Sequence, residues 1–149
     1  MSTDERVTKD VIETLEDGRE GFASAADKLA DSVRADLVPR FREWSSQRAQ
    51  FADELRSMAA SYGDDIDESG SVAAAVHRGW MAVKDALSGD DPEGVLDAAE
   101  QGEDHAVSEY EKALGDNDIS PNLRRVLERQ FADVKAVHDQ VRALRNVHS

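Results

Sequence analysis

A chain of 149 residues with 40% apolar and 34% charged residues suits one soluble domain with room for a modest core. The absence of cysteine excludes disulfides, thiol nucleophiles and cysteine-ligated zinc or iron–sulfur centres. A net charge of -14 argues against nucleic acid or an anionic membrane as partner through a global basic field, and no apolar run approaches the ~20 residues of a membrane span.

Apolar spacing is helical throughout, with no period-two stretch long enough for a strand. The first helix, over about 3–31, opens on Ser2-Thr3-Asp4-Glu5, where the helix dipole favours acidic side chains. Its stripe runs Val7, Val11, Leu15, Gly18, Phe22, Ala25 and Leu29. The second, over about 35–62, follows four-three spacing through Leu37, Phe41, Trp44, Arg48, Phe51, Leu55, Met58 and Tyr62, and stops at Gly63. A shorter third, over 71–88, carries Val72, Val76, Trp80, Val83 and Leu87. Asp90-Asp91-Pro92-Glu93 starts a fourth over 92–114, with Leu96, Ala99, Glu103, Ala106, Tyr110 and Ala113 on one face. Ser120-Pro121 starts a fifth over 120–147, with Leu123, Leu127, Gln130, Val134, Val137, Val141 and Leu144. Tyr62 and Tyr110 read as core residues with the hydroxyl at the edge.

Charge is uneven. Residues 1–52 carry 8 basic and 11 acidic groups, 53–118 carry 4 and 18, and 119–149 carry 6 and 3. The mildly basic last helix is therefore expected to pack beside acidic ones, and salt is expected to stabilise the fold by screening self-repulsion. No basic-then-apolar leader is present, so the expected location is cytoplasmic.

The first two helices are tightly joined, as are the last two, so each pair should form an antiparallel hairpin. The third helix, at ~27 Å, is long enough to cross over between the hairpins. The expected architecture is all-α: an up-down-down-up four-helix bundle with a crossover helix, against the competing arrangement of a plain five-helix array. The two hairpins echo each other weakly, Arg48-Ala49-Gln50-Phe51-Ala52-Asp53 resembling Glu128-Arg129-Gln130-Phe131-Ala132-Asp133.

Several stretches carry a family likeness: Glu16-Asp17-Gly18-Arg19-Glu20-Gly21-Phe22, Gln47-Arg48-Ala49-Gln50-Phe51, His77-Arg78-Gly79-Trp80, Gly102-Glu103-Asp104 and Val134-Lys135-Ala136-Val137-His138-Asp139. With these the chain resembles a bacterial family of ferritin-like four-helix-bundle proteins catalogued as a domain of unknown function. The resemblance implies the bundle and a place in the ferritin-like superfamily, and supplies no activity.

Ferritin-like oxidases hold two metals with Glu from two helices and Glu-x-x-His from two others. No Glu-x-x-His exists here: Ala74, Gly102, Lys135 and Arg145 stand three before the four histidines. The nearest acidic neighbour one turn from a histidine is Glu109, four after His105. A degenerate iron or manganese site would draw on Glu20, Glu103, His105, Glu109 and His138.

A different feature marks the middle of the stripes. Gly18, Arg48, Glu103 and Gln130 fall at similar height, three polar residues where apolar ones are expected. A buried guanidinium needs partners, and Glu103 can supply a bidentate carboxylate and Gln130 an amide. Arg48 is thus expected to fill the space that metals fill in ferritin relatives. If the helical phase is off by one, these side chains instead reach solvent at the seams. His77 and Trp80 are expected to dock the crossover helix. The expected function is non-catalytic and cofactor-free, through a homodimer or a protein partner and in a stress-related setting by analogy with the superfamily. The alternative is a carboxylate-rich iron or manganese protein.

Overall fold

The computed structural model describes residues 3–61 and 92–148. The described residues are all-helical: α1 (Thr3–Leu29), a 3-10 turn (Ala35–Leu37) leading into α2 (Val38–Ser61), α3 (Pro92–Leu114) and α4 (Pro121–His148). The expected helix over 71–88, with His77 and Trp80, and Tyr62 lie outside the described residues. Among the described residues no helix is long and apolar enough to cross a membrane.

Local chemistry sets the helix ends. α1 stops two residues earlier than its spacing predicts, because Ser32 turns both its N–H and its hydroxyl onto the Leu29 carbonyl, at 3.1 and 2.8 Å. The expected start of the second helix at 35 is a 3-10 turn, pinned by Arg34 donating to both oxygens of the Asp36 carboxylate. At the end of α3 the Gly115 N–H closes onto the Glu111 carbonyl at 2.9 Å. Ser120 caps α4 by accepting the Leu123 N–H, while its own N–H donates to Asp4 at 2.8 Å. Asp4 therefore ties the start of α4 to the start of α1.

Cross-helix contacts fix the directions. Arg42 of α2 reaches Asp27 and Arg56 reaches Glu16, so α1 and α2 are antiparallel. Arg145 reaches Asp97 and the Tyr110 hydroxyl reaches Gln130, so α3 and α4 are antiparallel. Arg6 near the start of α1 meets Asp116 just past α3, which sets α1 against α3 head to tail. Hence α2 and α3 run the same way, opposite to α1 and α4. As its charge predicts, α4 lies beside acidic helices: Arg129 pairs with Glu54, Arg145 with Asp97, and Arg142 with Glu100. The more exposed pairs, Arg129–Glu54 and Arg145–Asp97, add little stability.

The core is two clusters rather than one. The upper holds Phe22, Leu29, Phe41, Trp44, Leu96, Val137 and Val141; the lower holds Val11, Leu15, Leu55, Tyr110, Leu123, Leu127 and Val134. The upper aromatics pack edge to face, Phe22 against Phe41 at 5.6 Å and 84°. Between the clusters, at the level where Leu15 gives way to Phe22 and Ala99 to Ala106, the interior is polar.

Candidate functional site: a buried ion pair between α2 and α3

Arg48 and Glu103 occupy that polar level. Arg48 stands ten residues past the start of α2 and Glu103 eleven past the start of α3, at depths of about 15 and 17 Å on parallel helices. Matching depth brings the two side chains face to face. Nη1 donates to Oε2 at 2.7 Å and Nη2 to Oε1 at 2.6 Å, a bidentate fork with side chains only 1% and 0% exposed. The Arg48 Nε donates to Gln47 at 3.2 Å, and the guanidinium lies 5.2 Å from the centre of the Phe22 ring.

Gly18 makes room for the pair. A Cβ there would stand 3.3 Å from Arg48 Nη1, tighter than ordinary contact, and 3.5 Å from its Cγ. A mid-helix glycine costs roughly 0.5–1 kcal/mol relative to alanine, so α1 gives up propensity where the guanidinium passes.

Gln130, expected in this layer, is buried but bonds elsewhere. Its amide oxygen accepts the Tyr110 hydroxyl at 2.9 Å, and its Nε2 donates to Glu54 at 2.8 Å and to the Phe51 carbonyl at 3.3 Å. On α4 the ion-pair level falls between Val134 and Val137, one turn beyond Gln130, because the stagger between hairpins is set by packing. Tyr110 likewise departs from expectation: it is fully buried, its hydroxyl is interior, and burial pushes its ionisation well above the usual tyrosine value. Tyr110→Phe should leave the Gln130 oxygen without its donor and cost about 1–3 kcal/mol in urea unfolding; a cost near zero would show that the hydroxyl carries no weight.

The candidate metal ligands do not converge. Glu103 is held by Arg48. His105 is exposed, and two residues after Glu103 it points about 200° away around α3. Glu20 pairs with Arg19 at 2.9 Å, and Glu109 lines a small groove with Arg6, Lys112 and Asp116. His138 is buried with both ring nitrogens against carboxylates, Asp104 at 2.7 Å and Asp139 at 3.1 Å. Among the described residues no group of three or more His, Asp or Glu side chains could hold a metal ion.

Glu16 was not singled out by spacing, yet it is buried and bridges Arg19 at 2.8 Å and Arg56 at 3.0 Å. α1 packs on both α2 and α3, so two of its faces are covered and a single stripe misses the second. The i, i+3 relation of Glu16 to Arg19 is the one local signal that could have marked it.

No curated protein matches the sequence. A family model does, over residues 5–116, a stretch that takes in α1 to α3 with Gly18, Arg48 and Glu103. The chain accordingly belongs to the family described as a domain of unknown function, DUF2383.

Proposed function

We propose that the protein is a non-catalytic ferritin-like four-helix bundle whose interior cation is Arg48, and that it works by association with a second copy or a protein partner. The observation that carries this reading is the Arg48–Glu103 fork. In di-metal bundles the interior carboxylates are shared among metal ions. Here both oxygens of that buried carboxylate are engaged by a guanidinium of the chain, and among the described residues no group of three or more His, Asp or Glu side chains could hold a metal ion. A fixed, fully charged cation neither exchanges nor changes oxidation state. The helix directions support the bundle, since two hairpins joined with α2 and α3 parallel follow the order that a ferritin-like crossover requires. A bacterial, cytoplasmic and stress-related setting belongs to the same reading and rests on the resemblance to that superfamily.

With the interior closed in this way, work falls to the outer faces, where the exposed described residues are mostly charged or polar. Untagged protein exposed to iron(II) and manganese(II) and then desalted should carry far less than one metal per chain by elemental analysis. A chelator should leave its unfolding midpoint unchanged. Near-stoichiometric iron or manganese that raises the midpoint would replace this reading with the metal-binding one. Sedimentation equilibrium on the same samples separates a self-associating protein from a monomer that needs a different partner.

A further inference from the structure

Away from the ion pair, the upper α3–α4 seam holds a histidine whose surroundings suit one charge state. His138 is 7% exposed, with Nε2 2.7 Å from an oxygen of Asp104 on α3 and Nδ1 3.1 Å from an oxygen of Asp139 on its own helix. A neutral imidazole carries one N–H and one lone pair, so it can satisfy only one carboxylate and turns a lone pair on the other. The imidazolium donates to both.

We propose that His138 is a proton-operated latch: protonated, it clamps Asp104 of α3 to α4, and on losing its proton it releases one carboxylate and loosens the upper half of the second hairpin. The neighbouring charges make that step consequential. Asp97, Glu100 and Asp104 on α3 face His138, Arg142 and Arg145 on α4, with Arg145 2.8 Å from Asp97 and Arg142 3.6 Å from Glu100 and 3.7 Å from Asp104. Counting Asp139, four carboxylates meet three cations when the histidine is charged and two when it is not. From α2 comes Arg48, already cancelled by Glu103, the residue before Asp104.

Burial lowers the affinity of His138 for its proton, but Asp104 and Asp139 outweigh burial and the opposing Arg142, holding it above the ordinary histidine value. The sign follows. A group that titrates higher folded than unfolded contributes its full stabilisation below the unfolded value, about 6.5, and loses it as pH rises through the folded value. The latch is therefore closed in mild acid and opens on alkalinisation.

Histidine-resolved NMR titration of the full chain tests this. His138 should titrate above the ordinary histidine value of about 6.5, and Asp104→Asn should bring it down, with each unit of that fall a tenfold loss of proton affinity. In parallel, the stability advantage of wild type over His138→Gln should shrink from pH 6 to pH 9. His138 titrating at or below about 6.5, or unmoved by Asp104→Asn, would overturn the latch. So would a wild-type advantage over His138→Gln that does not change with pH. If His138→Gln does not fold, the titration of wild type and Asp104→Asn decides alone.

Discussion

Arg48→Ala should destabilise the protein by about 3–5 kcal/mol, and Glu103→Ala by a similar amount, because each leaves a buried charge without its partner. Both side chains are almost wholly removed from water, so solvent cannot rescue the survivor. Against the 5–15 kcal/mol that typically separates folded from unfolded domains, either loss is severe. The double variant should cost less than the sum, since the second substitution removes the orphan that the first created; a coupling of about 1–3 kcal/mol is expected. Apolar replacement of the pair, Arg48→Met with Glu103→Leu, should be near neutral or stabilising by about 1–4 kcal/mol. Urea unfolding of wild type and these four variants measures all of this. Additive single costs would dissolve the pair as an energetic unit, whatever its geometry.

Phe22→Ala should cost about 3–5 kcal/mol through the lost transfer energy and the cavity left behind. The ring sits at the boundary between the upper core and the polar level. It packs edge to face on Phe41 and Trp44, both at 5.6 Å, and offers its face to the Arg48 guanidinium at 5.2 Å. Phe22→Leu fills most of the space without a π face and should fall between wild type and Phe22→Ala. Repeating Phe22→Leu in an Arg48→Met background isolates the attraction between ring and cation, worth up to about 2 kcal/mol when desolvated. Calorimetric midpoints and urea curves would show an unchanged cost there if that attraction contributes nothing.

Much of the architecture was legible in the residues. Pro92, Pro121, Gly115 and the four-three rows place the long helices to within three residues, and Arg48 and Glu103 stood out as charges within apolar rows. Face and depth along one helix are local properties, so those two residues could be matched on paper. Gln130 could not, because its level depends on how far one hairpin slides along the other, and side-chain packing decides that. The interior hydroxyl of Tyr110 escaped for the same reason: its partner is Gln130. Glu16 was hidden by the assumption that α1 has one buried face, when it touches two neighbours.

The equal depth of Arg48 and Glu103 also bears on how the chain can vary in length. One extra residue between Val38 and Arg48 would rotate everything on one side of it by about 100° relative to the other. Either the guanidinium or the Phe41–Trp44 pair would then have to leave its place, and the same holds for Glu103 against Val95 and Leu96. Among the described residues, insertions and deletions should therefore be tolerated best in the turns at 30–37 and 115–120, while the stretches between the helix starts and the ion pair should need a fixed residue count.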